Sequence, residues 1–168
     1  MHSSTRGPTP AARQALLVFG LALLLRLVFC FAIYPQIVEQ FGQGDGYDVI
    51  ARNLASGHGY TLPDIDAPAE RLPLYPFLLA ASFKLFGPAD WPWQILQALI
   101  GAATCSLVYR LARHYASRSA ALAVATVCVF HPSLLLFTAR PLTETVYVLL
   151  TVLFAWAVLQ RRDGLAGV

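Results

Sequence analysis

Charge is scarce in this sequence. Only 12% of its 168 residues are Asp, Glu, Lys or Arg, 57% are hydrophobic, and the mean hydropathy is +0.58. An ordinary soluble domain carries about a quarter charged residues, so that class is excluded. Cysteine is confined to Cys30, Cys105 and Cys128, odd in number, inside apolar runs and without metal-ligand spacing. They read as buried thiols acting as small hydrophobes, not as a disulfide framework. Internal repeats are absent, and so is low complexity beyond the polar stretch 1–10. The net charge of +3 comes from arginines at the ends of apolar segments, where the positive-inside bias puts them. It does not indicate nucleic-acid binding.

What is present in quantity is long apolar sequence. Ala15–Tyr34 is interrupted only by Gly20 and Arg26 and can span about 30 Å of hydrocarbon as a helix. No small-x-small cleavage site follows it, because Phe31-Ala-Ile-Tyr34 is bulky, so the run reads as a retained anchor. Trp93–Leu111, Ala120–Thr138 and the shorter Val146–Gln160 are further spans. Leu72–Phe86 has Pro73 and Pro76 in its first turn and stops at Gly87. As a helix it reaches only about 22 Å, short of a crossing.

Charge arbitrates the topology. If Leu72–Phe86 does not cross, Arg110, Arg113, Arg118, Arg161 and Arg162 all face the cytoplasm, as the positive-inside rule requires. The expected fold is all-α and integral to the membrane. It has about four transmembrane helices, both termini inside, and amphipathic juxtamembrane helices in a first external loop. The organisation is then a cytoplasmic tail at 1–14, a membrane module at 15–160 with its external loop at 35–90, and a tail at 161–168. Asp45 and Glu144 share one membrane face. Arg26, inside a span, should face a partner or a water-filled cavity, because a charge there costs roughly 2.5–3.5 kcal/mol on insertion scales.

Seven of the nine acidic residues (Glu39, Asp45, Asp48, Asp64, Asp66, Glu70 and Asp90) fall between positions 35 and 90. Within that loop Tyr47, Ile50, Ala51 and Leu54 recur at helical spacing and predict a short amphipathic helix lying in the interface. Asp45 is its N-cap and Gly57 its end. Asp48 reads as its solvated face, and Arg52 as meeting lipid headgroups or Asp48. The stretch from Gly59 to Pro68 reads as irregular loop, and Trp91, Trp93 and Tyr109 as interfacial belt residues. His58, His114 and His131 share no ligand spacing. A divalent cation is compatible with the carboxylates, but nothing in the spacing indicates one.

The anchor, the run Asp45-Gly-Tyr-Asp-Val-Ile-Ala-Arg-Asn-Leu-Ala-Ser-Gly-His-Gly-Tyr60, then Arg71-Leu-Pro-Leu-Tyr-Pro76 and Leu85-Phe-Gly87 together resemble the N-terminal part of GT-C glycosyltransferases. The protein-mannosyltransferase-like and aminoarabinose-transferase-like enzymes are the nearest in pattern. His131-Pro132 with Thr143-Glu144 is similar to the acidic second external loop of that superfamily. The resemblance implies transfer of a sugar from a polyprenyl-phosphate carrier to an acceptor at the outer face of a membrane, the bacterial inner membrane by this reading. It implies Asp45 as general base or acceptor-orienting carboxylate, Glu144 as the second acidic position, and Arg71 as the contact to the lipid phosphate. Tyr47, Tyr75 and Arg52 would line the substrate site. The carrier, the sugar and the acceptor are not readable. Members of the superfamily run to several hundred residues with many more spans, so this chain is expected to be a front module. A non-catalytic remnant or a small membrane assembly subunit is the alternative.

Overall fold

The computed structural model describes residues 9–41, 46–62, 65–68 and 72–166. Helix α1, Pro10–Val28, is capped by Thr9, whose hydroxyl accepts from the Ala12 amide at 3.3 Å. Pro10 sits at its start, where a missing N–H leaves no bond unmade. The chain continues through one π-helical turn, Phe29–Ile33, into α2, Tyr34–Ile37. Pro35 cannot donate to the carbonyl four residues back, and the wider turn absorbs that mismatch. Gln36 Nε2 donates to the Ala32 carbonyl at 2.8 Å, satisfying a group in the same turn. The stretch Pro10–Ile37 forms one candidate span.

Beyond it come α3, Tyr47–Ser56, and the strands β1, Thr61–Leu62, and β2, Ile65–Pro68. Helix α4 is Leu74–Phe86, α5 is Trp91–Tyr115 and α6 is Arg118–Phe130; α7, Pro132–Ala139, and α8, Glu144–Ala166, complete the described chain. The strands pair antiparallel, with Thr61 opposite Pro68 and Leu62 opposite Ile65. The stretch read as irregular loop therefore contains a small ribbon. Asn53 Nδ2 ties that ribbon to α3 by donating to the Thr61 carbonyl at 3.0 Å.

Three helices are long and apolar enough to cross a membrane, and the α6–α7 pair, bent by 46°, has the length and composition of a fourth, broken span or of a re-entrant loop. The bend corrects the continuous helix expected over Ala120–Thr138. Pro132 forces His131 into an extended conformation, with φ −65° and ψ 119°, because the proline ring clashes with a helical predecessor. Helix α4, at 13 residues, reaches only about 20 Å. The protein is thus an all-α integral membrane protein with three spans, or four where the bent α6–α7 pair counts as one.

The spans alternate in direction. Gln14 on α1 joins the Tyr109 hydroxyl on α5 to the Arg118 guanidinium at the start of α6, accepting from the arginine and donating to the phenol. Ser106 Oγ donates to the Ala15 carbonyl at 2.9 Å. At the opposite end, Gln94 Nε2 donates to the Ala139 carbonyl at 3.3 Å and Gln97 Nε2 to the Arg140 carbonyl at 2.8 Å. One end therefore gathers the start of α1, the end of α5, the start of α6 and the end of α8, with Arg13, Arg110, Arg113, Arg118 and Arg161. The other end holds α3, α4 and the start of α8, with Asp48, Asp90 and Glu144.

Small side chains set the core. Ala15, Val18 and Ala22 of α1 pack on Ala102 and Cys105 of α5 and on Ala121, Ala125 and Val129 of α6, letting the backbones approach closely as membrane helices do. Leu17, Leu21, Leu24, Leu150 and Phe154 stay exposed, which suits surfaces whose solvent is lipid. Tyr109 is fully buried and Trp93 is 5% exposed, so neither is the belt residue its sequence position implied. Arg26 is 1% exposed. It donates to the Ala22 carbonyl at 3.2 Å and to Cys105 Sγ at 3.4 Å. Its Nε finds no partner among the described residues.

Candidate functional site

The carboxylate end is built on α3 and α4. Gly46, with φ +79°, occupies the N-cap position of α3, displacing the expected Asp45. The left-handed backbone turns the chain sharply into the helix, a conformation only glycine adopts freely. At the far end Gly57, φ +83°, closes α3, and His58 N donates to the Asn53 carbonyl at 2.8 Å in a Schellman-type cap. The apolar stripe is real, but it faces protein. Ile50 and Ala51 are fully buried. Ala51, Tyr47 and Leu54 join a cluster with Tyr75, Leu79, Ala80 and Phe83 of α4 and Trp93 of α5. The apolar stripe that the sequence assigned to the membrane interface is therefore packed on α4.

Arg52 also departs from expectation. Its guanidinium donates to the Pro88 carbonyl at 3.0 Å and to Asp90 Oδ1 at 3.3 Å, and sits 4.6 Å from the centre of the Phe83 ring. Trp93 Nε1 donates to the same Asp90 oxygen at 3.2 Å. Arg52 thus pairs with Asp90, not with Asp48. The contact clamps α3 to the loop that leads into α5.

Tyr75, in the first turn of α4, is the centre of the site. Its ring meets Tyr47 edge to face at 5.6 Å between centroids. The side chain is buried, and its hydroxyl has no hydrogen-bond partner among the described residues. Burial pushes its ionisation well above the usual tyrosine range, and the Glu144 and Asp48 carboxylates push in the same direction. The hydroxyl is therefore a donor at any ordinary pH. Gln97 Oε1, an acceptor, is likewise buried without a partner among the described residues, and both side chains line one cavity of about 20 Å³.

Glu144 opens α8, half-buried, and accepts from Thr143 Oγ1 at 3.4 Å. The helix dipole favours an anion at that position. Val146, half a turn on, packs against the α3–α4 cluster. This brings the start of α8 beside Tyr75, so Glu144, Tyr75, Tyr47 and Asp48 converge from three separate helices. Asp48, read from sequence as a solvated face, is half-buried, and its charge adds to the upward push on the Tyr75 ionisation. Arg140 is a second residue the sequence reading passed over. It is half-buried in the turn before α8 and close to Tyr34. The signal was there in the Arg140-Pro-Leu-Thr143-Glu144 turn, whose basic residue stands four positions ahead of the carboxylate.

Asp45 and Arg71 lie outside the described residues, so of the six expected site positions the structure locates Tyr47, Arg52, Tyr75 and Glu144. Among the described residues no three His, Cys, Asp or Glu side chains group as a metal cage. The arrangement gathers two carboxylates and a nearby guanidinium around a buried, neutral phenol at one end of the bundle. That chemistry suits proton abstraction from a hydroxyl beside a phosphate.

A family model described as dolichyl-phosphate-mannose-protein mannosyltransferase matches residues 66–163, more than half of the chain. The match takes in α4 through most of α8, with Tyr75, Arg140 and Glu144, and begins after α3. No curated protein and no solved structure matches the chain significantly.

Proposed function

The chain belongs to the dolichyl-phosphate-mannose-protein mannosyltransferase family, which makes it a membrane glycosyltransferase of the GT-C type, and on that footing we propose that it moves a sugar from a polyprenyl-phosphate-linked donor to an acceptor hydroxyl at the carboxylate end of the bundle. The observation that carries this reading is the convergence of Asp48, Tyr75 and Glu144 from three helices on one unpartnered phenol. Concentration of the arginines at the other end supports placing that end in the cytoplasm and the site outside. The same proposal places the enzyme in a bacterial plasma membrane.

In the proposed reaction the bond between the anomeric carbon and the phosphate oxygen breaks, and its electron pair leaves with the polyprenyl phosphate. The acceptor oxygen bonds to the anomeric carbon and its proton passes to a carboxylate. Asp45 or Asp48, three residues on in sequence, is that base, and Glu144 orients the acceptor. The departing phosphate needs cationic and hydrogen-bonding partners. Arg71, three positions before α4 in sequence, and Arg140, before α8, supply guanidinium groups whose fork matches phosphate oxygens. Tyr75 supplies a neutral donor. Tyr47 sets the Tyr75 ring, and Arg52 keeps α3 seated.

The test is transfer in membranes, with labelled mannosyl phosphoryl polyprenol as the donor. Asp45→Asn, Asp48→Asn and Glu144→Gln are compared for turnover and for membrane insertion. Loss of at least a hundredfold in one of the α3 variants and in Glu144→Gln, with insertion unchanged, is the expected result. Wild-type turnover in all three would overturn the assignment.

A further inference from the structure

At the arginine-rich end, α1 and α8 both pack on α5 but not appreciably on each other. They leave a groove of about 670 Å³ open to the side of the bundle. Its walls are apolar, formed by Leu16, Leu111, Leu159 and the Trp156 ring, and Arg110 and Arg113 stand at its mouth. The Arg110 guanidinium lies 5.3 Å from the centre of the Trp156 ring, which fixes the cation at the lip of the groove. Arg113 uses one nitrogen to donate to the Ala116 carbonyl at 2.9 Å and keeps the rest of its fork for another acceptor. Among the described residues no carboxylate lines the groove. The only ion pair among the described residues is Arg52 with Asp90, at the opposite end.

We propose that this groove is a binding site for an anionic glycerophospholipid of the leaflet at that end. Its phosphodiester would be held by Arg110 and Arg113, and an acyl chain would lie between α1 and α8. Depth supports the choice. Both arginines close an apolar span, the level at which headgroup phosphates lie, and guanidinium binds phosphate oxygens in pairs. The apolar walls continue from the cations toward the bilayer centre, which suits one molecule with a charged head and a hydrocarbon tail. A second copy of the chain fits poorly, because a two-fold contact across this groove sets its arginines against their own equivalents. The site lies at the other end of the bundle from the proposed catalytic centre, so the two proposals fail independently.

Native mass spectrometry of the detergent-solubilised protein tests it, by titrating phosphatidylglycerol and phosphatidylcholine of identical acyl chains. Phosphatidylglycerol should be retained at least tenfold more tightly. Arg110→Gln/Arg113→Gln should lose about fivefold per arginine for phosphatidylglycerol and little for phosphatidylcholine. Both arginines are exposed, so the double variant should keep its melting temperature. Acyl-brominated phosphatidylglycerol should quench tryptophan fluorescence in the wild type, and less so in Trp156→Phe. Equal retention of the two lipids would overturn the proposal. So would displacement by millimolar inorganic phosphate, quenching that ignores Trp156, or a dimer whose formation excludes lipid.

Discussion

The Nε of Arg26 lies 2.5 Å from the point where a Cβ on Gly101 would stand. The guanidinium of α1 is thereby laid directly on the bare backbone of α5. This explains how a charge is packed at the centre of a span. Gly101 makes room, and the Ala22 carbonyl and Cys105 sulfur accept from the two terminal nitrogens. No carboxylate pairs with it among the described residues. Gly101→Ala should therefore overpack the α1–α5 seam and destabilise the protein by about 1–3 kcal/mol. Arg26→Met removes a desolvated charge while keeping most of the volume, and should be neutral or stabilising. Thermal melts of both variants and of the double variant decide the matter. The cost of Gly101→Ala should shrink markedly when Arg26 is Met, whereas simple additivity would show that the two residues are not coupled.

Tyr75 gives a prediction in pH. Its hydroxyl ionises above the ordinary tyrosine value, because it is buried and faces Glu144 and Asp48. A folded-state pKa raised above the unfolded one means the folded protein holds that proton more tightly. The resulting stability is fully present below about pH 10, the unfolded value, and is lost as pH rises beyond it. Wild-type melting temperature should fall steeply above pH 10, and less steeply in Tyr75→Phe. At neutral pH the same substitution should cost under about 1 kcal/mol, since it removes a hydroxyl with no partner among the described residues. Transfer activity should nonetheless drop, because the donor facing the site is gone. Identical alkaline limbs in the two proteins would contradict the burial of this phenol.

The spans are legible from sequence because hydrocarbon imposes one rule on a whole segment: every residue across about 30 Å must be tolerable there. Ala15–Tyr34, Trp93–Leu111 and Val146–Gln160 obey it and lie within observed helices. What a single chain position faces is set by neighbours far away in sequence. The stripe Tyr47-Ile50-Ala51-Leu54 looks the same whether it meets lipid or protein, and only the packing of α4 decides for protein. Trp93 and Tyr109 sit at span ends, as belt residues do, yet each is turned inward by a bond, to Asp90 in one case and Gln14 in the other. The approach of Glu144 to Tyr75 joins residues 69 positions apart, and no local pattern carries it.

The Arg52–Asp90 contact predicts an asymmetry. The two side chains are 42% and 60% exposed, so the ion pair itself should contribute under about 1 kcal/mol and weaken with salt. Arg52 does more than pair. It also donates to Pro88 and covers the Phe83 ring. Asp90→Asn, which can still accept from Trp93, should shift the melting temperature little. Arg52→Ala should cost clearly more, through lost packing and the freed carbonyl. Equal losses would mean that the charge pair carries the clamp, and in that case 0.5 M salt should reproduce both.

The two glycines bounding α3 should respond differently to the same substitution. Both have positive φ, +79° at Gly46 and +83° at Gly57, so alanine at either costs about 1 kcal/mol in backbone strain. At Gly57 a Cβ would meet nothing within 4 Å, and that strain is the whole effect. At Gly46 the Cβ would also stand 3.0 Å from Leu62 Cδ2, where the ribbon folds back over the start of the helix. Gly46→Ala should therefore be the more damaging, by roughly a further 1 kcal/mol. Leu62→Ala should relieve that increment at Gly46 and do nothing for Gly57→Ala. Because α3 carries Tyr47 and Asp48 against Tyr75, Gly46→Ala should also lower transfer activity more than its loss of stability accounts for. A melt series on the four variants, paired with turnover, separates strain from contact. If Leu62→Ala fails to rescue Gly46→Ala, the ribbon is not what sets the position of the helix start.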